Sequence, residues 1–167
     1  MATITCSMKA DEVAGIDERP GIMNDRRVPE WRDTLERCGL EVTGDAPSDA
    51  LPVNSAIYAV NGIEVEPVVT IPDSIPHASD KLDEAWHHHA SQAALYDEKG
   101  EFLILSPGPG GSRVGWVRVK DTVGKNLPSR ISGVTGSPEF IAVSIDGRHL
   151  CAASVEEYDY WVVVHEF

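Results

Sequence analysis

The residues of this chain best suited to chemistry are histidines. Trp86-His87-His88-His89 lies in a stretch of helical character, and helical spacing sets Asp83 against His87 and Glu84 against His88, four residues apart. Glu84 and His87 are three apart, a spacing that can bring a carboxylate and an imidazole to one metal ion. A carboxylate raises the basicity of a neighbouring imidazole, so Glu84 would orient His87 or His88 as a general base near neutral pH. A metal site would need one more ligand, from His77, His149 or His165. The plainer reading is that such pairs are common on exposed helix faces, and that His89, on the apolar side, is a hydrogen-bonded core histidine. No resident metal or cofactor is expected.

A second group is basic and aromatic. Residues 106–138 carry Arg113, Arg118, Lys120, Lys125 and Arg130 against Asp121 alone. Trp116, Arg118 and Lys120 alternate along one expected strand and so share a face, with Arg113 just before them. Cations beside an aromatic ring suit an anionic, ring-bearing small molecule. The loop from Pro107 to Ser112, PGPGGS, offers backbone donors to a phosphate. It lacks the spacing of a nucleotide-binding P-loop, and its two prolines remove donors. Glycine and proline also punctuate loops for conformational reasons alone.

Nucleophilic chemistry has less to draw on. Cys6, Cys38 and Cys151 are an odd count at wide spacing, which suits reduced thiols rather than a disulfide framework. His149 and Cys151 share a strand face, but no third group is in place to orient them. Cys38 and Cys151 read as small apolar core residues. The chain contains no CxxC, GxSxG or HExxH pattern.

The charge is the strongest global signal. Over 167 residues, 14 Lys and Arg face 27 Asp and Glu, a net charge of −13. Residues 1–84 hold 7 basic and 17 acidic groups, and residues 85–167 hold 7 and 10. Asp11, Glu12, Asp17, Glu18 and Asp25 crowd one stretch. Such a balance repels phosphates at long range, so nucleic acid is not an expected partner, although a duplex-mimicking surface would need carboxylates spaced along one elongated face. A basic protein partner would be attracted and steered. Solubility alone is the bland alternative. No run of 18 apolar residues exists, and MATITCSMKADEVAG has no basic start followed by an apolar stretch. Neither a membrane span nor a secretory signal is expected, and the expected location is cytoplasmic.

These side chains need a framework. Residues 2–8 alternate as a strand. Residues 29–38 read as a short helix, with Pro29 in its first turn, Gly39 at its exit, and Trp31, Leu35 and Cys38 on one stripe. After a loop over 43–54, SAIYAV-Asn61-Gly62-IEVEPVV reads as a hairpin on a type I′ turn. Residues 79–95 form a long helix capped by Ser79 or Asp80, with Leu82, Ala85, Trp86, His89 and Ala93 as its apolar face. EFLILS, PGPGGS and RVGWVRVK make a second hairpin, and residues 121–138 a connection. FIAVSI and RHLCAA make a third hairpin on Asp146-Gly147, with Val143 opposite Leu150 and Ile141 opposite Ala152. YWVVVHEF, apolar on both faces, is a strand inside the sheet.

The class is therefore α+β. One domain over 1–167 holds a curved antiparallel sheet or partial barrel of about six to seven strands, three hairpins plus a C-terminal strand, covered by one long and one short helix. Two functions follow. In the first, the protein is an interaction module, inhibitor or immunity-type, whose acidic N-terminal half meets a basic partner. In the second, it is a small enzyme or ligand-binding protein with a pocket between the sheet and helix 79–95. There His87 or His88 acts with Glu84, and Arg113 or Arg118 holds an anionic substrate.

Overall fold

The fold is taken from a computed structural model that describes residues 27–167. The strand expected at 2–8, Cys6 and the acidic residues Asp11, Glu12, Asp17, Glu18 and Asp25 lie outside the described residues. Seven strands form one open sheet: β1 (Leu40–Asp45), β2 (Val69–Pro72), β3 (Glu101–Leu105), β4 (Trp116–Asp121), β5 (Phe140–Val143), β6 (His149–Val155) and β7 (Asp159–Glu166). Their order is β1-β4-β3-β5-β6-β7-β2, and every neighbouring pair is antiparallel. The interior strands are apolar on both sides, with residues 102–105 and 150–154 buried without a break, so both faces need cover.

The first face packs under α1 (Glu30–Arg37), α3 (Ala78–Gln92) and α5 (Leu127–Thr135). Leu35, Leu82, Trp86 and Ile131 meet Phe102, Val119, Phe140 and Cys151 there. The second face packs under α2 (Val53–Asn61), where Ala56 and Val60 meet Leu103, Val143, Leu150 and Val163. A four-residue turn of helix, α4 (Gly111–Val114), sits in the β3–β4 connection. Among the described residues, no helix is long and apolar enough to cross a membrane.

Several expectations are met. The β5–β6 register pairs Val143 with Leu150 and Ile141 with Ala152. β7 lies inside the sheet between β6 and β2. Others are corrected. Residues 53–61 are a helix, not a hairpin arm, because Val53, Ala56, Ile57 and Val60 make an i, i+3, i+4, i+7 stripe behind Pro52. Of the expected partner arm, 63–69, only Val69 is strand; it opens β2, which pairs with β7 instead. Residues 127–135 are a helix inside the expected connection, marked by Pro128 in its first turn and left-handed Gly136 after it. The loop assigned to 43–54 gives its first three residues to edge strand β1. The strand assigned to 113–120 begins only at Trp116. Helix α3 starts at Ala78, after left-handed His77, with no side-chain cap from Ser79 or Asp80. The β5–β6 turn is not type I′, since Gly147 (φ +76°) is left-handed and Asp146 is not. The Asp146 carboxylate instead accepts from Ser144 Oγ (2.6 Å) and the Arg148 N–H (3.0 Å).

Two polar clamps hold α5 against its neighbours. Asp83, buried on the inner side of α3, accepts from the Ser129 N–H at 2.9 Å and Ser129 Oγ at 2.6 Å. A carboxylate from another helix thus caps the positive end of α5. Arg130 donates to the Cys38 carbonyl (2.6 Å), to Asp121 (2.7 Å) and to the Lys125 carbonyl, tying α5 to the end of α1 and the end of β4. Replacing Asp83 with Ala strips both Ser129 donors of a charged acceptor and should lower the unfolding free energy by about 2 kcal/mol. Glu84→Ala, one residue away on the exposed side, should change it by less than about 0.5 kcal/mol. Urea titration followed by circular dichroism separates the two.

Candidate functional site

The histidine run does not enclose a cavity. Leu82, Trp86 and Ala90 lie flush against the sheet, Trp86 Nε1 donates to the Cys151 carbonyl (3.3 Å), and the Trp86 and Phe140 rings stand 5.0 Å apart. The space expected to form a pocket under this helix is filled by those contacts. Glu84, His87 and His88 point outward and are exposed. Asp83 faces inward to Ser129 rather than toward His87. His89 is half-buried, and its pKa is lowered by desolvation and by its neighbour His88. Among the described residues, no three His, Cys, Asp or Glu side chains come together as a metal-binding group.

The basic group is dispersed as well. Trp116 is buried against the segment entering α2, and its Nε1 donates to the Leu51 carbonyl at 2.6 Å, so its ring serves the second core. Arg118 turns to Glu101, with 3.8 Å between Nε and the carboxylate. Lys120 is exposed and sits in register with Glu101 on one side and Glu41 on the other. Arg113 is carried by α4, outside the strand. The two described thiols, Cys38 and Cys151, are buried. Burial pushes the Cys38 thiol up to about 11 despite the nearby Arg130, and raises Cys151 further still.

The loop 107–112 needs glycine for left-handed backbone at two positions and for a close backbone approach at a third. Gly108 and Gly110 are left-handed, at φ +94° and +82°. A Cβ on Gly111 would lie 1.6 Å from the Ser106 carbonyl oxygen. The loop borders two cavities of about 420 and 240 Å³, the first shared with Trp31, Thr34 and Arg37 of α1.

A larger cavity, about 690 Å³, lies elsewhere and was not visible in the sequence. After α2 the chain turns back, with the Gly62 N–H on the Tyr58 carbonyl (2.8 Å), and rejoins the sheet where the Val68 N–H donates to Val162 (2.9 Å). Between this return and the end of β7 a groove opens. Asn54, Ser55, Tyr58, Ala59, Val65 and the exposed carboxylates Glu64 and Glu66 line it from one side, and Val163, His165 and Phe167 from the other. The His165 and Phe167 rings meet edge to face at 4.5 Å. Among the described residues, neither Lys nor Arg lines the groove. Among the described residues nine large apolar side chains are exposed, and four belong to this one region: Tyr58, Ile63, Val68 and Phe167. Ile63 is fully exposed and Tyr58 is 74% exposed. An exposed apolar cluster of this kind marks a contact surface more often than a structural need. A hairpin reading pairs Tyr58 with Val65 across strands. It therefore hides the groove that a helix followed by a loose return creates.

Carboxylate-rich segments without Lys or Arg meet on one side of the sheet, whereas the cations on β4 stand among carboxylates. Residues 53–80 and 149–167 contain Glu64, Glu66, Asp73, Asp80, Glu156, Glu157, Asp159 and Glu166, and no Lys or Arg. Pairing of β2 with β7 and of β7 with β6 joins these two stretches into one side of the fold. At the β6–β7 turn the Asp73 N–H donates to the Tyr158 carbonyl, which brings Asp73 beside Glu156, Glu157 and Asp159. Across the sheet, Arg118, Lys120 and Arg130 lie on or against β4, next to edge strand β1. Among the described residues, carboxylates of a middle segment and of the C-terminal strands thus come together on one side.

No family model, curated protein or solved structure matches this chain. The two neighbouring glycines of the 107–112 loop give a direct check of its geometry. Gly110→Ala meets no atom within 4 Å, carries only the left-handed penalty and should cost about 1–2 kcal/mol. Gly111→Ala drives a methyl into the Ser106 carbonyl and should cost at least about 3 kcal/mol. Denaturant midpoints of the two variants give the order.

Proposed function

We propose that this protein is an acidic interaction module, inhibitor or immunity-type, that binds a basic protein through the side of the fold built from β2, β7 and the β6–β7 turn. One observation carries the reading: two stretches distant in sequence, 53–80 and 149–167, hold eight carboxylates and no Lys or Arg, and strand pairing sets them side by side. Like charges gathered on one surface repel one another and oppose the compact state. The same field attracts a cationic partner, raises its association rate at low ionic strength, and disfavours wrong partners. The groove between α2 and β7 lies on this side and supplies apolar surface beside the charge.

The test is capture of host proteins on the immobilised chain at low salt, with two charge-reversal variants. Asp73→Lys/Asp80→Lys/Glu157→Lys reverses three exposed carboxylates of the acidic side. Glu41→Lys/Asp45→Lys/Glu98→Lys makes the same net change on exposed carboxylates away from it. The expected result is a cationic protein held by the wild type and by the second variant, lost by the first, and released by about 0.5 M salt, where the screening length falls to roughly 4 Å. Equal loss in both variants, retention in both, or no cationic protein captured overturns the reading.

A further inference from the structure

Resting on that reading, we infer that the groove between α2 and β7 is the anchor site of the interface, and that it receives an arginine of the basic partner together with an adjoining apolar side chain. Steering charge alone leaves an interface without a tight centre, because energetic anchors are desolvated pockets that take large side chains, arginine prominent among them. The groove has the composition such an anchor needs. Tyr58 and Phe167 offer aromatic surface against which a planar guanidinium can stack, and Val65 and Val163 flank its aliphatic stem. Glu64 and Glu66 supply carboxylate oxygens for paired hydrogen bonds to the guanidinium. Lysine fits less well, since its compact, strongly hydrated charge neither stacks nor forks onto a carboxylate. At about 690 Å³ the groove is larger than one side chain, which is why an apolar neighbour is included. Ile63 and Val68, exposed in the return between α2 and β2, lie outside the groove lining. Among the described residues lining the groove there is no Lys or Arg to compete with a partner's guanidinium for the two glutamates.

The experiment uses defined peptides rather than an unidentified partner. The blocked tetrapeptide acetyl-Leu-Arg-Leu-Arg-amide is titrated into the ¹⁵N-labelled full chain, alongside its lysine counterpart and a counterpart with citrulline, which keeps the shape of arginine without its charge. The expected result is shift changes centred on Tyr58, Val65, Val163 and Phe167, with binding at least tenfold weaker for citrulline and weaker for lysine. The near-isosteric Glu64→Gln/Glu66→Gln variant should lose the same tenfold, and Tyr58→Ala/Phe167→Ala should lose the groove shifts. These side chains are exposed, so a circular dichroism spectrum like that of the wild type checks that the fold is kept. Equal binding of the citrulline peptide, or shifts away from the groove, overturns the proposal. A concentration-dependent dimer that disappears in Tyr58→Ala/Phe167→Ala assigns the groove to a second copy of the chain and also overturns it. The two readings fail separately. Capture of a cationic protein that survives Tyr58→Ala/Phe167→Ala unchanged removes the anchor and leaves the acidic module standing. Groove binding of the arginine peptide with no cationic protein captured removes the acidic module alone.

Discussion

A sheet that is apolar on both faces must be roofed twice, and the described residues roof its two faces unequally. Five of its seven strands lie between the edge strand β1 and the edge strand β2, and their buried residues alternate between two cores. The first core has α1, α3 and α5 over it, with Trp86, Phe102 and Phe140 at its centre. The second has one nine-residue helix, α2, over β5 and β6, and relies on irregular chain for the rest. Burial at roughly 25 cal/mol per Å² rewards every apolar side chain that finds cover. Where the single helix ends, cover stops and the groove beside β7 begins. The site described above is a consequence of that shortage of helix on one side.

The better-roofed face depends on polar clamps as much as on apolar contact. Helix α5 is built from LPSRISGVT, a run with Ser, Gly and Thr that has weak intrinsic preference for the helical state. It persists because Ile131 and Leu127 are buried, because Asp83 caps its start from α3, and because Arg130 bonds to the Cys38 carbonyl after α1 and to Asp121 on β4. These bonds are tertiary, which explains why a local reading of 121–138 sees only a Gly/Pro/Ser-rich connection. The signs were nevertheless present: Leu127, Ile131 and Val134 fall at helical spacing between Pro128 and Gly136.

Legibility in the sequence tracked how local each constraint was. The β5–β6 pairing was readable down to individual partners, because the turn at Asp146-Gly147 fixes register over a few residues. The interior placement of β7 was readable from VVV with no polar alternation. SAIYAVNGIEV was misread because a short apolar run satisfies both periods, and Asn61-Gly62 ends a helix as readily as it turns a hairpin. The chemistry-bearing residues were found by spacing alone. Asp83 and Glu84 are neighbours in sequence, yet one is buried against α5 and the other is in water. The net charge of −13 was legible at once. Its segregation was not, since that depends on β2 pairing with β7 rather than with a hairpin partner.

Placement along β7 relates the acidic turn to the groove. Asp159 opens the strand beside Glu156 and Glu157, and His165 and Phe167 close it in the groove wall. Eight residues of strand at roughly 3.3 Å each separate the two by about 26 Å. One partner's share of a standard interface is about 800 Å², a patch roughly 32 Å across. Under the proposed function, a single partner of ordinary size therefore spans both. The two regions would then divide the work: exposed carboxylates, screened beyond about 8 Å at physiological salt, act on approach, while the partly apolar groove holds its contacts once formed. Charge reversal at the turn belongs to the association rate, and truncation in the groove belongs to the dissociation rate. That division follows from where the roof of the second face ends relative to where the acidic turn begins, and both are set by the one strand they share.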